Sequence, residues 1–190
     1  MKTGLVLEGG ALRAIFSSGV CDGLLEGGIM TDYFIGVSAG AAYGVSYLSR
    51  QPRRNLEVVT RFAPDRRYMG MRNLADKKNQ SYFGLEFSYQ TIPNELVPFD
   101  YDAFQAYPGK AEAVVTNLNT GGADYLEIPR QDREELFRAE REGRLLVIAP
   151  RSTLGVSRTE RNTEKLRLLW AAGYQDAVDR LEEIQDFFSR

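Results

Sequence analysis

The apolar positions of this chain come first as short unbroken runs and then at helical spacing, and the alternation of the two predicts a layered fold. Residues 3–7 read as a buried strand. The stretch Glu8-Gly9-Gly10-Ala11-Leu12-Arg13-Ala14 then turns into a helix predicted to run to about Glu26. Ile15, Val20 and Leu24 share one face of it, and Gly27-Gly28 stop it. A second apolar run, Tyr33-Phe34-Ile35, leads through Gly36-Val37-Ser38-Ala39-Gly40 into an alanine-rich helical stretch. Strand, glycine turn, helix, strand, glycine turn, helix is the signature of a mainly parallel sheet with covering helices, an α/β fold.

The pattern weakens over residues 51–102. Arg53, Arg54, Arg61, Arg66 and Arg67 mix there with Glu57 and Asp65, which reads either as a solvated, ion-paired face or as a rim facing phosphate or a lipid headgroup. Aromatic residues from Tyr82 to Tyr107 read mostly as core or as cover over the sheet, with an acyl-chain pocket as the alternative. Residues 113–117 predict another strand, 120–124 a turn, and 125–128 a strand returning as a hairpin. Residues 144–150 predict a third clear buried strand. Thr163 is expected to cap a helix holding Leu166, Leu169 and Trp170 and stopped by Gly173. Ala177, Leu181, Ile184 and Phe188 fall on one face of a final helix. With no repeat, low-complexity tract or linker, a single domain is expected over residues 1–190.

Composition changes the picture at two points. The single cysteine, Cys21, cannot form an internal disulfide; it is expected to pack in a helix, in a chain of the reducing cytoplasm. The chain contains no histidine at all, so a Ser-His-Asp triad cannot be built from it and histidine-ligated zinc is excluded. A net charge of −2 gives no reason to expect nucleic acid, or an anionic membrane, as an electrostatic partner. No apolar run reaches the roughly 20 residues of a membrane-spanning helix. Neither a metal nor a cofactor is expected: G-K-[ST] and G-x-G-x-x-G are both missing, which argues against a nucleotide.

The chemistry concentrates at Ser38. G-x-S-x-G between a strand and a helix forms a sharp turn, with Gly36 and Gly40 where side chains would collide. The turn presents the serine hydroxyl at the end of a strand, beside the unpaired N–H groups of a helix start. The plainer alternative is a serine that only caps the helix. The consecutive N–H groups after Gly9 and Gly10 suggest an anion-holding nest, against a bare glycine turn. Both turns lie on the carboxyl edge of the sheet, where α/β proteins bind ligands.

These residues resemble the bacterial patatin-like phospholipases. The likeness rests on residues 4–13 (GLVLEGGALR), 35–41 (IGVSAGA) and 47–51, on Val115-Thr116-Asn117 with Thr120-Gly121, and on residues 142–150 with 157–160. The resemblance implies a three-layer α/β/α fold and hydrolysis of lipid or other acyl esters by a serine–aspartate dyad. It implies Ser38 as nucleophile and Gly9, Gly10, Ala11 and Arg13 as the oxyanion loop. A lipid or acyl-ester substrate with peripheral membrane contact is the partner expected. Ala11 and Ala14 stand where that family's loop has glycines, which alanine tolerates as long as φ stays below zero. The family's Asp-Gly-[Gly/Ala] motif has no counterpart. Leu136-Phe137-Arg138-Ala139 runs directly into Glu140-Arg141-Glu142-Gly143, as though the dyad strand were missing between about 139 and 142. Asp124 and Asp132 are the nearest aspartates in sequence, but neither sits in the motif, and no catalytic aspartate is assigned. A non-catalytic lipid- or acyl-binding protein is the rival reading.

Overall fold

The computed structural model describes residues 3–77, 79, 81–116, 123–124, 148, 150 and 152–189. Four strands, β1 (Gly4–Leu7), β2 (Tyr33–Val37), β3 (Lys110–Thr116) and β4 (Ala123–Asp124), lie side by side in that order. The first three are parallel, with Val6 opposite Ile35 and Ile35 opposite Glu112, while β4 runs antiparallel to β3. The third strand thus begins three residues before the apolar run that announces it. Lys110 and Glu112 sit at alternate positions on its polar face, where the Glu112 carboxylate pairs with Lys110 and accepts a hydrogen bond from Tyr33. Ala123 and Asp124 correct the predicted turn at 120–124. They pair with Thr116 and Val115, which extends β3 beyond the end of β2. Residues 125–128, and residues 144–150 except Ile148 and Pro150, lie outside the described residues.

Helices flank the parallel sheet, as the α/β/α expectation requires. A 3₁₀ turn (Ala11–Ala14) leads into α1 (Ile15–Glu26); α2 (Ala39–Leu48), α3 (Arg54–Phe62), α4 (Met71–Ala75) and α5 (Tyr101–Gln105) follow. A π-helical segment, Phe87–Leu96, precedes α5. The α2 helix lies on the sheet face that carries Phe34: a Cβ at Gly44 would stand 2.0 Å from that ring. A buried amide joins three helices, since Asn55 donates to Ser18 Oγ and to the Tyr43 carbonyl while accepting from Ser46. On the opposite sheet face Val6 is 58% exposed.

The chain's last helices are α6 (Thr163–Asp179) and α7 (Leu181–Ser189). Asn162, not Thr163, caps α6, accepting from the N–H groups of Glu164 and Lys165. Nor does Gly173 stop the helix, which continues to Asp179 and takes in Ala177, a residue expected on the final helix. The physical reason is contact. A Cβ on Gly173 would meet the Phe16 carbonyl oxygen at 2.1 Å, and one on Gly19 would meet that of Trp170 at 2.1 Å. Gly23 makes the same room for Ala177. Glycines on both helices let α1 and α6 approach backbone to backbone, and Leu166, Leu169 and Ala177 join Ile15, Val20 and Leu24 in one core. The Trp170 indole N–H donates to the buried Asp22 carboxylate at 2.9 Å, which ties the two helices by a polar contact as well.

Candidate active site

Ser38 joins β2 to α2 with φ 53° and ψ −121°, a backbone conformation that L-residues avoid unless the surrounding structure holds them there. Two glycines provide that hold. A Cβ on Gly36 would stand 2.4 Å from Ala41 Cα, and one on Gly40 would stand 2.4 Å from the Leu7 carbonyl oxygen. The first turn of α2 is therefore pressed against both its own strand and the end of β1. Ser38 occupies the helix-capping position but its side chain makes no capping bond. Its carbonyl accepts from Ala41 and Ala42, and the hydroxyl is left at an exposed position.

The same close approach brings the first glycine turn to the serine. A Cβ on Gly9 would lie 3.0 Å from Ser38 Cβ and 3.7 Å from its Oγ. In this loop the Arg13 N–H donates to the Gly10 carbonyl at 3.1 Å, and the Leu12 N–H donates to the Arg158 carbonyl at 3.2 Å. Those two donors are committed. The N–H groups of Gly9, Gly10 and Ala11 have no backbone acceptor among the described residues, and neither does that of Ala39 at the start of α2. Of the four loop residues expected from sequence, three thus keep an N–H without a backbone acceptor among the described residues, while the Arg13 backbone closes the turn. Ala39 went unnoticed in the sequence, although its place directly after the serine in G-x-S-x-G was the available signal.

The alanines in the loop behave differently from each other. Ala14 keeps φ at −66°, as tolerance requires. Ala11 does not: its φ is +49°, in the left-handed region where a Cβ costs roughly 1–2 kcal/mol. The loop holds this strained alanine between the Ser38 contact and the Arg158 anchor.

No hydrogen-bond partner accompanies the Ser38 hydroxyl among the described residues. The backbone of Asp124 pairs with Val115, one residue past the Val114 that faces Val37. It therefore lies two strands away from the elbow, roughly 10 Å at the usual strand spacing. Asp132 lies outside the described residues. Asp22, in the chain's one aspartate–glycine pair, belongs to the α1–α6 contact. No group of three metal-ligating side chains occurs among the described residues.

No curated protein and no solved structure matches the chain. Two family models do. One, a domain of unknown function (DUF6363), matches residues 130–189, which contain α6, α7 and the Arg158 carbonyl that anchors the loop. The other, patatin-like phospholipase, matches residues 5–145 and so spans β1, the glycine loop, the elbow and β3. On that match, the chain belongs to the patatin-like phospholipase family.

Proposed function

We propose that the chain is a serine acyl hydrolase for lipid or other acyl esters, with Ser38 as nucleophile. The observation that carries the reading is the strained, uncapped serine held against Gly9, at the start of the glycine loop. A serine that served only as a cap would spend its hydroxyl on the helix. Here the hydroxyl is exposed beside donors without acceptors, the arrangement that an oxyanion requires. Gly9, Gly10 and Ala11 are its donors in this reading, joined by Ala39, and Gly36 and Gly40 form the elbow. Arg13 closes the loop and offers its guanidinium to a phosphate. Residues 1–190 are read as one unit, because α6 shares the core of α1. The substrate is a lipid met at a membrane surface, and the setting is the cytoplasm, with which the buried free thiol of Cys21 is compatible.

A serine hydroxyl needs a positioned base, and here it cannot be histidine. With no carboxylate hydrogen-bonded to Ser38 among the described residues, the expected catalysis is what the oxyanion donors and binding supply, about 10³–10⁴ over water. The same observation favours a second reading, a lipid- or acyl-binding protein that keeps the elbow without turnover. A fluorophosphonate probe with mass-spectrometric mapping tests the first. Adduct on Ser38 that is lost in Ser38→Ala is the expected result. Labelling elsewhere in the folded chain, with Ser38 untouched, would overturn it. Release of p-nitrophenol from a short-chain ester, against the Ser38→Ala background, then separates slow hydrolysis from binding alone.

A further inference from the structure

The segment around α4 carries charge opposite in sign to the whole chain. Between Asp65 and Lys77 there are four basic residues and two acidic ones, in a chain of net charge −2. Within it Arg67 is engaged by the Asp65 carboxylate at 2.8 Å, whereas Arg66 and Arg72 are exposed with no carboxylate partner among the described residues. Both border a cleft of about 1020 Å³, as does Arg161, whose guanidinium donates to the Met69 carbonyl at 2.6 Å. Asp76 and Glu86 are the acidic residues on that rim. Apolar side chains stand at the same mouth: Met71 is 73% exposed and Leu85 43% exposed. Leu74, on the next turn of α4, is 45% exposed.

Exposed methionine and leucine beside unpaired arginines suit one environment in particular. The apolar groups gain by entering a hydrocarbon boundary, and the guanidiniums gain by meeting phosphate at headgroup depth. A nucleic acid would satisfy the arginines but leave Met71 and Leu85 in water. The surface is also tied to the Ser38 loop. Leu12 is held by the Arg158 carbonyl, and three residues later Arg161 is bonded at the cleft. We propose that the Arg66–Arg72–Arg161 cleft, with Met71 and Leu85 at its mouth, docks the chain onto an anionic phospholipid bilayer. The proposal takes its purpose from the lipid-hydrolase reading, while its binding chemistry stands apart from Ser38.

Vesicle flotation tests it, with phosphatidylcholine alone and with phosphatidylcholine–phosphatidylglycerol mixtures. The chain should partition onto the mixed vesicles, lose that partitioning as salt rises, and leave neutral vesicles largely bare. At about a fivefold contribution from each basic residue, Arg66→Glu with Arg72→Glu should weaken partitioning by at least roughly 30-fold. Met71→Ser with Leu85→Ser should weaken it even at low salt. All four side chains are exposed, so circular dichroism should report an unchanged fold. Equal binding to neutral vesicles, wild-type binding by the charge-reversed variant, or preference for a single-stranded oligonucleotide would each overturn the proposal. Ser38→Ala should float like the wild type. Lost flotation with Ser38 labelling retained therefore removes the docking surface alone, and lost labelling with flotation retained removes the hydrolase reading alone.

Discussion

The elbow at Ser38 and the crossing of α1 over α6 both depend on glycines, and they use them to opposite ends. At the crossing, Gly19, Gly23 and Gly173 bring two helices together, and all three glycines are themselves buried. Close contact there becomes stability, through Leu166, Leu169 and the Trp170–Asp22 bond. At the elbow, Gly36 and Gly40 bring a helix onto two strand ends and hold an exposed serine at φ 53°. Close contact there holds strain, which in the proposed hydrolase positions the reacting hydroxyl. Substitutions of the same kind should thus unfold one region and silence the other.

The largest effect is expected at the crossing. Gly19→Val would put a side chain on backbone carbonyl and amide atoms that cannot retreat without separating α1 from α6. A loss of about 4 kcal/mol or more is expected, read by urea denaturation with Trp170, the chain's one tryptophan, as reporter. A loss under about 1 kcal/mol would mean that the two helices do not meet as described.

At the elbow, Gly40→Ala should leave a folded chain whose reaction at Ser38 is slowed about 10²-fold or more. Misplacing a reacting group by about 1 Å costs that much. Rates of fluorophosphonate labelling, compared at matched circular dichroism, measure it. Unchanged labelling would show that the strained geometry is not what makes the serine available.

The buried Asp22 gives the crossing a pH dependence with a definite sign. Burial raises its carboxyl from 3.8 to about 6, against the lowering effects of the Trp170 hydrogen bond and of Arg53. Ionisation is therefore harder in the folded state than in the unfolded one. The stability that Asp22 contributes is complete below its unfolded value of 3.8 and is lost as pH rises through about 6. Asp22→Asn cannot ionise, so between those limits it should gain on the wild type by about 2–3 kcal/mol. Parallel denaturation curves for the two proteins across that range are the measurement. A constant difference would mean that Asp22 is not the titrating group.

The smallest effect sharpens the description of the loop. Ala11→Gly relieves the Cβ at φ +49° and should raise stability by about 1 kcal/mol, read as a higher denaturation midpoint. A lower midpoint would place Ala11 outside the left-handed region.

Much of the site was legible because it is local. A strand, a turn and a helix in direct succession carry the G-x-S-x-G geometry in adjacent residues, and the glycine loop after β1 is equally short-range. The absence of histidine needs no structure to exclude a triad. What the sequence could not show depends on contacts between distant segments. Gly173 reads as a helix stop, since glycine ends helices when nothing else requires it. Only the approach of α1, more than 150 residues earlier at Phe16, gives it another reason to be there. The Ala123–Asp124 strand exists because Val115 and Thr116 offer it a ladder, which a two-residue run cannot announce.

Sequence by itself determined the chemistry offered at Ser38, because turn type and residue type are set within a few bonds of each other. Tertiary structure decided which N–H groups around it remain without a backbone acceptor. It consumed the Arg13 and Leu12 N–H groups, one of them through Arg158, and left those of Gly9, Gly10, Ala11 and Ala39 without backbone acceptors among the described residues. It also decided that Arg66 and Arg72, balanced in the total charge, stand at one cleft with no carboxylate partner among the described residues, since net charge sums over the sequence but an electric field is felt only where side chains gather.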